Sequence, residues 1–182
     1  MTEQQAAPAP LRRVFFAIWP DDQTAGALAA MAKTMAPLCG GRVMRRETLH
    51  LTLAFIGSVN AEQLAELRRV AAAVTAPAFD LELDRLAWWR HNRIVWAGSS
   101  AVPPALQGLA RDLSAGLRDA GFRVEDRPFA VHVTLLRNAH NGAEGGQPAA
   151  VRWPVHEFLL VESLLQPRGA VYRPLDRYPL QR

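Results

Sequence analysis

Four residues in this chain have the types and spacing to do chemistry together. They are His50 and Thr52 in the phrase His50-Leu51-Thr52-Leu53, and His132 and Thr134 in His132-Val133-Thr134-Leu135. In a β-strand, residues i and i+2 leave from the same face. Each phrase therefore presents an imidazole beside a hydroxyl. Leu49, Leu51, Leu53 and Phe55 in the first, and Val131, Val133 and Leu135 in the second, are expected to turn into a core. Two imidazoles facing each other across a cleft suit displacement at phosphorus. With an ordinary pKa of about 6.5, one ring can take a proton from water while the other gives one to the departing oxygen. Threonine hydroxyls can donate to non-bridging phosphate oxygens, and an arginine can offset the charge of the transition state. No metal is needed for either proton transfer.

A lone histidine on a strand is more often a satisfied structural residue, so the duplication carries the case. Around each phrase the chain repeats itself. Arg13-Val14-Phe15-Phe16-Ala17 echoes Arg93-Ile94-Val95-Trp96-Ala97, a helix follows each, and Gly41-Arg42-Val43 echoes Gly121-Phe122-Arg123-Val124 before the histidine phrase arrives. Two strand–helix–strand units of this kind predict two related lobes.

The remaining elements read from punctuation and periodicity. Val14–Trp19 is an apolar run closed by Pro20, and Asp21-Asp22 opens a helix over Ala25–Leu38 that ends at Gly40-Gly41. Leu49–Ile56 reads as a strand stopped by Gly57, and Ala61–Val74 as a helix. Phe79–Trp89 and Arg93–Ala97 read as strands joined around His91-Asn92, and Pro103–Ala120 as a helix. Ala130–Leu136, Val155–Leu165 and Val171–Leu175 complete the strands. The expected fold is α+β: two pseudo-symmetric lobes of antiparallel sheet with helices outside and the cleft between. Residues 1–10 are expected to be a disordered leader before one bilobal domain over 11–182, and 140–150 a mobile loop.

Other chemistries lack their signatures. There is no Gly-rich phosphate loop, no G-x-S-x-G elbow and no H-E-x-x-H helix. The single cysteine, Cys39, excludes an internal disulfide framework and is expected to be structural. Glu47, the one acidic residue near either motif, is expected on the opposite face from His50. His91, His140 and His156 are expected at the surface. Of 182 residues 49% are apolar, which excludes disorder for most of the length, yet no run approaches the roughly 20 apolar residues a bilayer needs. The charge is +4, and of the 21 basic residues only Lys33 is a lysine. Arginine's fork suits phosphate, although codon bias in an alanine-rich chain explains most of the total.

The segments RETLHLTLAFIG and RPFAVHVTLLR resemble the paired His-x-Thr-x motifs of the 2H phosphoesterase superfamily, and within it the RNA 2′,3′-cyclic phosphodiesterases, also named bacterial 2′-5′ RNA ligases. The opening RRVFFAIWPDD and closing LVESLLQPRGAVYRPLDRYPL are similar to the start and end of that family, so the resemblance spans residues 12–180. It implies metal-independent hydrolysis of RNA 2′,3′-cyclic phosphate ends to 2′-phosphates, with no cofactor and with reversible 2′-5′ ligation as a related activity. His50 would be the general acid and His132 the general base, a polarity that the near-symmetric sequence does not itself establish. Thr52 and Thr134 would contact phosphate, as would Arg137, which closes the second motif. Val131 departs from the family, many members having proline there.

The implied partners are RNA 3′ ends or nucleotides bearing a 2′,3′-cyclic phosphate, met by a monomer in the cytoplasm, with no membrane and no obligate protein partner. Two alternatives stay open: the same site acting on another cyclic phosphate or a 2′-5′-linked oligonucleotide, and a non-catalytic module that binds RNA ends. On an ideal strand Arg137, five residues after His132, faces away from the cleft, and it reaches the phosphate only if the strand bulges or ends near Leu136. Arg42, Arg46, Arg123 and Arg127 are expected to be exposed charges that could widen a positive rim, and Phe16 and Tyr172 are candidates for stacking on a base.

Overall fold

The computed structural model describes residues 10–142, 149–167 and 169–181. All but Pro10 of the expected leader, and residues 143–148 of the Gly-rich segment, lie outside these. Strand β1 (Arg12–Ile18) leads to helix α1 (Asp22–Cys39), which Asp21 caps by accepting from the Thr24 amide. The two-residue strand β2 (Arg42–Val43) and a 3₁₀ turn over Arg46–Thr48 precede β3 (Leu51–Val59). Helix α2 (Ala61–Ala73) starts with a full capping box between Asn60 and Gln63. Then come β4 (Phe79–Leu83), β5 (Arg85–Trp89), β6 (Ile94–Gly98), α3 (Pro104–Asp119), β7 (Val133–Arg137), β8 (Val151–Val155), β9 (Glu157–Gln166) and β10 (Gly169–Pro179). Among the described residues no helix is long and apolar enough to cross a membrane.

The strands form one antiparallel path, β10-β9-β1-β3-β7-β6-β5, with β2 also on β7, and β4 and β8 pair separately. The two lobes are the halves of this path, and β3 meets β7 through the single pair Leu51↔Val133. Each of those residues directly follows its histidine, so the approximate two-fold axis passes through this pair. The helices cross over: α1, which follows β1, packs on β7, and α3, which follows β6, packs on β3. The main core between sheet and helices includes Phe16, Leu51, Val133, Leu106 and Leu113, and Phe15, Ala17, Leu159 and Val161 form a smaller cluster.

Several elements differ from expectation for local reasons. The Phe79–Trp89 run breaks at Asp84, whose carboxylate accepts from the Ser100 amide at 2.8 Å, and its two halves join different sheets. Strand β8, with Pro154 inside it, was not anticipated; it pairs only with β4, so the proline sits on an edge strand. Gly57 does not stop β3: it pairs with Val14, and Ile56 bulges out beside it. Phe16 is fully buried against Phe158 and Tyr178, so it cannot stack on a base.

The face assignment at the axis is testable. Leu51 is fully buried whereas His50 is half-buried in the cleft. Leu51→Asp strands a carboxylate in the core and should cost at least about 3 kcal/mol, whereas His50→Ala should cost about 1 kcal/mol. Urea denaturation checks both, and equal losses would contradict the placement of the two faces.

Candidate active site

Both histidines are oriented by one local device. Each precedes its strand by one residue, and its Nδ1 meets the carbonyl two residues back, 2.7 Å from Thr48 O for His50 and 2.9 Å from Ala130 O for His132. A carbonyl can only accept, so Nδ1 carries the hydrogen and donates it in both rings. Nε2 is left as the atom that takes or gives a proton.

Beyond the histidines the strands are bulged at matching places. Opposite β1, Phe16 pairs with Ala54 and Ala17 with Thr52, which leaves Leu53 as the extra residue. Opposite β6, Val95 pairs with Leu136 and Trp96 with Thr134, which leaves Leu135 extra. Leu53 and Leu135 each stand three residues after a histidine. Each bulge lets two successive residues face the core and inverts the alternation that follows. The residue five after each histidine therefore turns back to the cleft. This brings Arg137 to the site, as the chemistry requires, through a bulge at Leu135. The same inversion overturns the expectation for Phe55, which is 43% exposed and lines the cleft instead of the core.

His50 lies in an aromatic cage. Trp19 stacks on it at 5.0 Å, Phe15 tilts against it at 5.1 Å, and Tyr172 meets it edge-on at 5.1 Å. Tyr172 thus lines the cleft as a wall of this cage. His132 has Trp89 at 4.6 Å and Trp96 at 6.4 Å. Burial pushes the His50 imidazolium pKa down to about 4, with the nearby charges of His132 and Arg137 adding to the effect and the Thr48 carbonyl opposing it. Burial and Arg137 also lower His132, against the Ala130 carbonyl and Glu125.

Two cavities meet at this point. One of about 210 Å³ reaches from His50 toward Phe15, Tyr172, Ser163 and Arg13. The other, of about 600 Å³, lies on the His132 side, between the β3 residues Leu53–Phe55 and the segment Val124–Ala130, with Trp89, His91 and Asn92 as further walls. Thr52, Phe55, His132, Thr134 and Arg137 border both.

The larger cavity is a break in the symmetry. The β2 strand of the first sequence unit pairs with β7, Arg42 with Arg137 and Val43 with Leu136. Gly41 lies so close that a Cβ on it would stand 2.6 Å from the Arg137 carbonyl oxygen, and its φ of +86° is in the glycine region. The matching segment after Gly121 forms no ladder with β3, a Cβ on Gly121 would meet nothing within 4 Å, and the gap is the cavity.

All five expected site residues converge here: His50, His132, Thr52, Thr134 and Arg137. Among the described residues, neither threonine hydroxyl nor Arg137 is bonded to another side chain, so all three are available to a ligand. Of the possible rim arginines, Arg127 borders the larger cavity, while Arg46 is held by Asp22 at 3.2 Å. His91, His140 and His156 are exposed, and His91 also borders the larger cavity. Cys39 is fully buried, and burial raises its thiol pKa. The aromatic cage has no counterpart among the sequence expectations, which give Tyr172 only as a candidate for stacking on a base. The signal for it was parity: Phe15, Ala17 and Trp19 alternate with the core residues Val14, Phe16 and Ile18. Among the described residues no group of three or more His, Cys, Asp or Glu side chains is placed to hold a metal ion.

A convergent His/Thr pair from each half of a two-fold sheet defines a phosphoesterase cleft, and comparison with known proteins agrees. Residues 18–96 match the model of the LigT-like phosphoesterases. The chain is 35% identical over 171 residues to the RNA 2′,3′-cyclic phosphodiesterase of Escherichia coli K12, covering 93% of this chain and 97% of that protein. It is 30% identical over 182 residues to the protein of the same name from Thermus thermophilus, covering 93% of this chain and 90% of that one. The crystal structure of apo E. coli LigT superposes with a TM-score of 0.88 at 34% identity, covering 96% of this chain and 100% of that one. The chain belongs to the LigT-like phosphoesterase family.

The lowered histidines fix the sign of a pH effect. A base must be neutral and an acid protonated, and both free rings protonate below the ordinary 6.5. The bell of kcat/KM should therefore peak on the acid side of pH 6.5. Arg137→Gln removes a cation that depresses both rings, so both limbs should move to higher pH as the rate falls. A pH series on the two proteins checks this; a peak above pH 7 in the native protein would contradict the lowering.

Proposed function

We propose that this protein hydrolyses RNA-type 2′,3′-cyclic phosphates to 2′-phosphates without a metal ion, using His50 as general acid and His132 as general base. The observation that carries the reading is the pair of imidazoles with Nδ1 committed to backbone, set about a two-fold axis beside two threonine hydroxyls that bond no other side chain among the described residues. Water on the His132 side gives its proton to Nε2 as its oxygen bonds to phosphorus. The bond from phosphorus to the 3′ oxygen breaks, and that oxygen takes the proton from Nε2 of His50. Thr52, Thr134 and Arg137 hold the non-bridging oxygens, where negative charge grows. The polarity follows the family resemblance, and the cavities support it: His132 opens to the larger one, whereas His50 borders only the smaller. Burial favours the neutral form of both rings in the free cleft, and an anionic phosphate between them raises their affinity for the proton the acid needs.

The substrate named for the relatives is an RNA 2′,3′-cyclic phosphate, and E. coli LigT has been crystallised with 3′-AMP. The larger cavity also supports the ligation reading. A 5′-hydroxyl placed there can replace water as nucleophile, forming a 2′-5′ diester while the same bond to the 3′ oxygen breaks. A monomer in the cytoplasm suits this substrate class.

Phosphorus NMR of 2′,3′-cyclic AMP incubated with the protein in EDTA should show adenosine 2′-phosphate accumulating. Formation of the 3′-phosphate, or loss of turnover on chelation, would overturn the reading. His50→Ala and His132→Ala should each lower kcat by roughly 10²–10⁴-fold. A near-native rate in either variant would remove that residue from its role. Because substrate raises both pKa values, the alkaline limb of kcat should lie at higher pH than that of kcat/KM.

A further inference from the structure

The axis that relates His50 to His132 also relates Phe55 to Arg137, since each pairs with an equivalent residue of the neighbouring strand, Phe15 and Ile94. Two residues further out along those neighbours it relates Arg13 to Asn92. The guanidinium has thus changed place between the lobes. In the second lobe it occupies the inner position, as Arg137, with a neutral amide outside it. In the first lobe the inner position holds a phenyl ring, and the guanidinium stands outside it, as Arg13. Phe55 serves as its platform: the Arg13 guanidinium carbon lies 5.0 Å from the ring centroid. Val14 pairs with Glu162, which brings Arg13 and Ser163 side by side, and both line the smaller cavity.

Thr52 and Phe55 are successive cleft-facing side chains of β3, and because they pair with Ala17 and Phe15 across the bulge they stand only two partner-strand residues, about 7 Å, apart. An anion bound to Arg13, beside Phe55, therefore lies about one nucleotide step from the phosphorus that Thr52 contacts. It also lies on the His50 side, where the departing 3′ oxygen and its ribose must sit for in-line displacement. The anionic group that a nucleotide carries there is its 5′-phosphate. An Arg–phosphate contact is charge-assisted and directional, and an adjacent hydroxyl adds a neutral donor.

We propose that Arg13 and Ser163 form a second phosphate subsite that holds the 5′-phosphate of the terminal nucleotide. The cleft then prefers an RNA end, or a nucleotide with a 5′-phosphate, to a nucleoside 2′,3′-cyclic phosphate. This inference rests on the hydrolase reading above and adds a specificity residue to it.

The test compares two substrates that differ only in that group: adenosine 2′,3′-cyclic phosphate and its 5′-phosphorylated form. The native protein should favour the 5′-phosphorylated form in kcat/KM by about tenfold at low salt, mostly through KM, because the contact does not change in the transition state. Arg13→Gln should bring the ratio close to one. Arg13→Lys, which keeps the charge and loses the fork, should give an intermediate ratio. A native ratio near one, or a native-sized ratio retained in Arg13→Gln, overturns the subsite while leaving the hydrolase reading in place. Failure of the native protein to turn over either substrate overturns the hydrolase reading and the subsite with it.

Discussion

The site depends on one backbone pairing, Leu51 with Val133, where the two halves of the sheet meet. In an antiparallel pair the residues flanking the pair are related by a local two-fold axis. Because each partner directly follows a histidine, that ladder position sets where the two imidazoles stand relative to each other. The crossed helices act on the same place, since each unit's helix covers the histidine strand of the other. The apolar core thereby fixes the separation that a paired proton transfer needs, and the cleft's small polar set adds little to folding.

Symmetry gives two equivalent imidazoles, but hydrolysis needs an acid and a base that differ. The chain keeps the backbone of the two halves alike, down to matching bulges, and varies what the backbone presents. Three aromatic rings crowd His50, whereas His132 has tryptophans on one side and the large cavity on the other. The deeper burial makes His50 the harder ring to charge in the empty cleft. Bound phosphate therefore matters most at that residue. The glycine that lets β2 close on β7 has a counterpart whose segment stays apart, and this difference opens one side of the cleft to larger reactants.

The histidines and threonines were legible in the sequence because period-two alternation reports the face of a strand, and because the motif occurs twice. The echo beside them was also visible, but one residue out of register: Arg13 resembles Arg93 in sequence, whereas pairing places Asn92 in the equivalent position. Apolar strand words match easily at neighbouring offsets, and only the ladder decides between them. Bulges escaped for a related reason. Nothing in Leu53-Ala54-Phe55 distinguishes a bulged strand from a regular one, so Phe55 was expected in the core. Asp84 and Pro154 act through partners distant in sequence, which no local pattern reports. The cage around His50 gathers Phe15, Trp19 and Tyr172 from opposite ends of the chain.

The side of β3 left unpaired beside the larger cavity has a consequence for how this enzyme can diverge. Residues 121–128 cross that gap without ladder bonds to β3, so insertions, deletions or exchanges there leave the sheet's register and the Ala130 carbonyl on His132 intact. On the opposite side, a one-residue slip of β2 would turn every side chain it carries and disturb the strand that ends in Arg137. Evolution can therefore refit one wall to new reactants while the other is held almost invariant by geometry. The catalytic centre stays constant, and the wall beside His132 acts as an interchangeable part.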